Sequence, residues 1–157
     1  DVIEEGSVIL SRHQHDFCYG LKQQYFHKSI MLVLEHVENL MTNGILLNRP
    51  MSRIITDEYN NSWSVWYGGP VRGIHDDIDS SQGEQLAWTG LHSLTNPVAK
   101  RLSNQIIKDI KLMTLETAQF LVENGHAVPN NFTVVYCAGF ASWSPGQLQQ
   151  ELQRNNW

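Results

Sequence analysis

Apolar positions along this chain fall into short runs divided by polar, glycine-rich or proline-rich punctuation, which is the pattern of a strand-rich protein with few helices. Val8-Ile9-Leu10, following Gly6, and the branched run Ser29–Glu35 predict strands buried on at least one side. The polar stretch Glu38–Gly44 ends in an Asn43-Gly44 turn signal and precedes Ile45-Leu46-Leu47. That spacing predicts two adjacent antiparallel strands joined by about eight residues. Pro50 disfavours further sheet pairing. Ser64–Tyr67 reads as another strand, ended by Gly68-Gly69-Pro70.

The second half carries clearer helix signals. Arg72–Glu84, with Asp76, Asp77 and Asp79, reads as an exposed acidic loop ahead of the segment Leu86–His92, and its spacing fails the calcium-loop pattern. Ile106–Leu112 is ambiguous: Ile110 and Leu112 alternate like a strand, the favoured reading, while the whole run could also form a short helix. Thr114 caps a predicted helix over Leu115–Asn124, with Leu115, Ala118 and Val122 at helical spacing, Gly125 just past its end and Pro129 beyond. Phe132–Ala138 has strand composition, and Gly139–Ser142 is expected to turn the chain into a terminal helix. There Ser144 is the expected N-cap, Pro145 the first helical residue and Gln147 the capping-box partner. Leu148 and Leu152 then share one face, Gln147 and Glu151 a neighbouring one, with Trp143 and Trp157 as bulky anchors at either end. Strands first and helices late predict an α+β fold, largely an antiparallel sheet core with helices packed on it.

Composition narrows the class. At 157 residues the chain has the size of one domain, 1–157, with a single core, and no apolar run reaches the length of a membrane span. A soluble, intracellular protein is the expectation. Cys18 and Cys137 are too few for a disulfide framework and read as free thiols. The start at Asp1 rather than Met reads as a processed or trimmed chain, without a visible signal or transit motif. A formal charge of −5 counts against a surface built to neutralise phosphates, so nucleic acid is disfavoured as a partner.

Four separated segments, Tyr25–His36, Gly44–Pro50, Tyr67–Val71 and Gly139–Leu148, with Glu151 and Trp157 trailing, resemble the YqgE/AlgH family of small α+β proteins. The order and spacing of these pieces span nearly the whole chain. The resemblance implies that fold and, through the family's name as a transcriptional regulator, gene control; it implies no particular reaction. Three features depart from the family pattern. Arg12–Tyr25 and Arg72–Gln85 look expanded, as in an organellar or eukaryotic relative, and Ser142 stands where glycine is usual before the tryptophan.

The candidate chemistry lies at predicted strand ends, where loops carry function. Asn48 can bond nearby backbone while Arg49 offers a planar fork to a carboxylate or phosphate; the competing reading is an internal pairing of Arg49. Gly68, Gly69 and Pro70 could present amides to an anion but match no phosphate-loop pattern, and a tight structural turn competes. With Trp143, Pro145, Gly146 and Gln147 they make up an expected cleft for a small anionic ligand or a protein partner in a non-enzymatic regulatory or binding protein. His13 and His15 alternate, yet the remaining histidines are scattered, and neither a metal nor a cofactor is expected. Two other functions compete. One is direct DNA binding, which lacks a helix-turn-helix signature; the other is a hydrolase or transferase that would need a charged pair such as Arg49 with Glu151 to meet in a pocket.

Overall fold

Ten strands and three helices occur among the described residues of the computed structural model, which are 2–11, 26–69, 88–136, 141–155 and 157. In chain order they are β1 (Val8–Leu10), β2 (Ile30–Val37), β3 (Met41–Leu46), β4 (Pro50–Thr56), β5 (Ser62–Tyr67), β6 (Trp88–His92), α1 (Pro97–Arg101), β7 (Asn104–Ile107), β8 (Ile110–Thr114), α2 (Leu115–Glu123), β9 (Phe132–Tyr136), β10 (Ala141–Trp143) and α3 (Gln147–Gln153). They build a four-stranded sheet in the order β1-β2-β3-β10 and a six-stranded sheet in the order β4-β5-β9-β6-β8-β7. Among the described residues only β5 and β9 pair in parallel, so the fold is α+β and largely antiparallel, as the sequence predicts.

Period-two alternation sorts the buried side chains into layers. Leu32 and Ile45 of the first sheet cluster with Leu91 and Val135 of the second, so the two sheets pack face to face. The neighbours of these residues point the other way. Met31, Val33 and Leu46 meet Leu148 of α3 and Trp157, whereas Val134, Met113 and Trp63 meet Ala118 and Leu121 of α2. Among the described residues the buried side chains thus fall into three clusters where a single core is expected. Gly90 leaves room for the Phe132 ring of β9, since a Cβ there would lie 3.3 Å from it, while the Ala118 methyl of α2 would stand at an ordinary contact distance of 3.8 Å.

The α2 helix starts and stops where its sequence says. The Thr114 hydroxyl accepts the Thr117 amide at 3.2 Å, Leu115 and Ala118 are buried, and Gly125 beyond the end takes φ 72°. Other expectations need correction. The β2–β3 turn is not at Asn43-Gly44 but at Glu38–Leu40, where Asn39 adopts φ 61°. Gly44 lies inside β3, and the reason for glycine is space: an added Cβ would sit 2.9 Å from the Leu32 carbonyl oxygen. Pro50 does not end sheet pairing; it opens β4, an edge strand whose first residue needs no ladder amide. Ile106–Leu112 holds parts of two strands, β7 and β8, turning at Lys108-Asp109. Ala141 and Ser142 form β10 against Gly44 and Asn43 instead of a turn.

The terminal helix also begins later than expected. Gly146, with φ 73° and ψ −7°, occupies the third position of a type II turn, and the Gln147 amide donates to the Ser144 carbonyl at 3.0 Å. Pro145 thus belongs to the turn, and Ser144 does not cap. Half of the expected box survives, because the Gln147 side-chain oxygen accepts the Ser144 amide at 3.1 Å. The acidic segment Arg72–Glu84, Pro70, Cys18, Cys137, His13, His15 and His75 lie outside the described residues.

Candidate functional site

The expected cleft residues divide into two groups. Between β3 and β4 the chain crosses from one sheet to the other through Leu47-Asn48-Arg49, beside the end of β5. The Leu46 amide donates to the Gly68 carbonyl and the Tyr67 amide to the Arg49 carbonyl, both at 2.8 Å. Asn48 reaches back to the segment before β2, accepting the Ile30 amide and donating to the Lys28 carbonyl, both at 2.9 Å. Arg49 donates Nη1 to the Asn48 carbonyl at 3.1 Å and Nη2 to the His27 carbonyl. Its fork therefore holds backbone carbonyls. Gly68 and Gly69 are buried, and Gly69 has φ 150°.

The second group converges on a residue absent from the expected set. Glu151 Oε2 accepts the indole N–H of Trp143 at 2.9 Å and of Trp157 at 2.7 Å, while Oε1 accepts the Gln147 amide at 2.9 Å. The two indoles meet edge to face at 5.8 Å, and Phe26 meets Trp157 in the same manner at 5.6 Å. Phe26 joins the groups, since its neighbour His27 supplies the carbonyl held by Arg49. Pro145 and Gly146 remain exposed on the type II turn. The i to i+4 spacing of Gln147 and Glu151 is legible in sequence; the convergence of both tryptophans is not.

An open cavity lies elsewhere, at the α2 side of the six-stranded sheet. It has a volume of about 520 Å³ and is lined by Arg53, Ile55 and Thr56 of β4, Asp57, Glu58 and Tyr59 of the following turn, Trp88 of β6, and Leu115, Glu116, Gln119 and Glu123 of α2. Spacing along α2 places its contributors on one face. The turn is built by Asp57, whose carboxylate accepts the amides of Tyr59 (3.0 Å) and Asn61 (2.8 Å), the Asn61 side chain (3.1 Å) and the Trp63 indole (2.9 Å). Burial raises the Asp57 pKa, but these hydrogen bonds outweigh it and hold the carboxyl below its usual range. Glu123 foremost, then Glu58, raises the pKa of Tyr59, a sign of negative potential at the mouth. Arg53 extends over Trp88, its guanidinium carbon 5.3 Å from the ring centroid. None of the candidate site residues named from the sequence lines this cavity, because its walls come from three distant segments.

Among the described residues, one serine–histidine pair bears on catalysis. His92 Nε2 and Ser103 Oγ are 2.8 Å apart, while Nδ1 accepts the Leu94 amide at 3.2 Å. An accepting Nδ1 leaves the proton of the neutral ring on Nε2, so His92 donates to Ser103, which donates on to the Ala99 carbonyl. This direction is opposite to that of a general base. Burial first, then the positive charge of Lys111, lowers the His92 pKa and favours this neutral form. Among the described residues, no group of three or more histidine, cysteine, aspartate or glutamate side chains is placed to hold a metal, and no helix is long and apolar enough to cross a membrane.

Comparison with known proteins agrees with the motif pattern. The AlgH-like family profile matches residues 18–157. The chain belongs to the AlgH-like family. Among its relatives, the UPF0301 protein YqgE of Escherichia coli O1:K1 / APEC is 26% identical over 147 residues, which cover 92% of this chain and 77% of that one. A UPF0301 protein of Parabacteroides distasonis is 25% identical over 158 residues, covering 98% and 69% respectively. The solution structure of the AlgH protein from Pseudomonas aeruginosa superposes with a TM-score of 0.57 at 20% identity, covering 96% of this chain and 72% of that one. A crystal structure from Corynebacterium diphtheriae gives 0.64 at 17% identity, covering 100% and 75%. At these identities the structural likeness concerns the fold. The described parts of the four segments that resemble the family meet in the crossover and in the Trp143–Glu151–Trp157 cluster of this AlgH-like chain.

Proposed function

We propose that this AlgH-like chain is a non-enzymatic binding protein whose ligand enters the cavity between the β4–β5 turn, Trp88 and α2. The observation that carries this reading is the cavity itself. Its volume of about 520 Å³ falls in the range of ligand pockets, and it combines an apolar floor with charged groups at the rim. The crossover offers less to a ligand, because a small anion at Arg49 would have to compete with the Asn48 and His27 carbonyls. The direction of the His92–Ser103 hydrogen bond also speaks for binding rather than hydrolysis. Gene control, to which the family name points, would then act through a bound partner and not through DNA phosphates, which an acidic chain repels.

A thermal-shift screen of nucleotides, phosphorylated metabolites, divalent metals, organic cations and duplex DNA, followed by amide hydrogen exchange, tests the reading. A ligand at 100 times its Kd adds about 2.7 kcal/mol, enough to shift the melting curve. Protection centred on residues 53–59 and 115–123 is expected. Protection confined to residues 26–28 and 48–49 would return the site to the crossover.

A further inference from the structure

Four carboxylates against one guanidinium line the cavity, so its net formal charge is −3. This polarity is opposite to the one needed for the anionic ligand expected at Arg49. Asp57 is engaged by donors of its own turn, whereas Glu58, Glu116 and Glu123 are exposed, on two elements facing each other across the opening. Beneath them Ile55, Leu115 and Trp88 form an apolar floor. A floor of that kind under a carboxylate rim suits a side chain with an aliphatic stem and a charged head. The chain already places one such group there, as Arg53 lies over the Trp88 ring at 5.3 Å.

We infer that the cavity receives an arginine or lysine side chain from an exposed basic segment of a partner protein. The inference rests on the cavity being the binding site. The head group meets Glu58, Glu116 and Glu123 while its stem covers Leu115 and Ile55. Arg53 then acts as an internal competitor: it occupies the Trp88 face and cancels part of the negative field. A partner protein is favoured over a small free cation because the cavity is open and the edge strand β4 continues from it, with Met51 and Ile54 exposed along that strand. Backbone and flanking side chains of a peptide can lie along that edge.

Fluorescence anisotropy with a short labelled peptide alternating arginine and glycine tests this on the full chain. The same peptide with citrulline in place of arginine keeps the shape and removes the charge. Saturable binding is expected for the arginine peptide, about tenfold tighter than for the citrulline peptide and weaker as salt is added. The double variant Glu116→Gln/Glu123→Gln is expected to weaken binding about fivefold, and Arg53→Ala to tighten it about threefold. Equal affinity for the two peptides, or an affinity unmoved by the double variant, would overturn the inference. Competition by free arginine amide or spermidine as strong as by the peptide would overturn the protein partner in favour of a small cation.

Gln119→Arg separates this failure from that of the binding site. It adds a positive charge to the cavity wall and is expected to weaken the arginine peptide. If instead it strengthens an anionic ligand found in the thermal-shift screen, the cavity is the site and the cation assignment is wrong. If no ligand of either charge responds to Gln119→Arg, both readings fall.

Discussion

Trp157 donates its indole N–H to Glu151 at 2.7 Å, and this bond ties Trp157 to α3. The same carboxylate oxygen accepts Trp143 of β10, so one side chain joins the sheet, the helix and Trp157. Glu151→Gln keeps the shape but removes the charge; with its oxygen kept at the two indoles, its NH2 replaces the acceptor that faces the Gln147 side-chain NH2. The expected cost is about 1.5–3 kcal/mol, the value of a hydrogen bond to a charged group. Urea unfolding of the two proteins checks it; an unchanged midpoint would show that the cluster contributes no stability.

Arg49→Ala is expected to lower Tm. The substitution leaves the Asn48 and His27 carbonyls without their guanidinium donors at a half-buried crossover, at a cost of about 1–3 kcal/mol. For a chain of this size that is roughly 2–12 °C. An arginine whose purpose is to bind a ligand would instead leave Tm unchanged and reduce affinity.

Gly44→Ala tests whether glycine is needed for space. The added methyl meets the Leu32 carbonyl oxygen at 2.9 Å and the Met31 side chain at 3.2 Å, and the carbonyl belongs to a paired strand that cannot retreat easily. Destabilisation of about 1–3 kcal/mol is expected from overpacking. If Asn43-Gly44 were a turn, alanine would be tolerated wherever φ is negative, and a near-neutral result would contradict the strand register.

Acid sensitivity should appear in two windows. The folded pKa of His92 lies below its unfolded value near 6.5, so the stability it contributes is complete above that value and declines as pH falls through the folded pKa. Asp57 behaves likewise at lower pH: its folded pKa lies below 3.8, so its contribution is present above that value and is lost as pH falls through the folded pKa. Denaturant midpoints measured from pH 8 to pH 3 should fall in both ranges. His92→Gln should flatten the upper one alone, while Asp57→Asn should flatten only the lower.

Local signals were legible where a side chain answers to its own neighbourhood. The Thr114 cap, the Gly125 stop and the α2 stripe depend on contacts within a few residues, and the strands Val8–Leu10, Ser64–Tyr67 and Phe132–Tyr136 announce themselves by composition. Local reading failed where one motif serves two structures. Asn43-Gly44 reads as a turn until β10 and β2 pair on either side of it. Ser144-Pro145-Gly146 reads as a capped helix start until Gly146 takes a positive φ and makes a type II turn.

The same division holds for the site. Sequence alone marked Asn48, Arg49, Gly68, Trp143 and Gln147 as belonging together in an AlgH-like protein, and it determined the α+β class and the acidic balance, since residue type and spacing are properties of the chain itself. Tertiary structure decided what these residues do. Hydrogen bonds between segments some twenty residues apart engage Asn48 and Arg49 with backbone, and two indoles claim Glu151. The open cavity appears only when the turn after β4, the start of β6 and one face of α2 are brought together. Long-range packing sets which polar groups are already paired and which face solvent, and that pairing is not encoded in the spacing of any single segment.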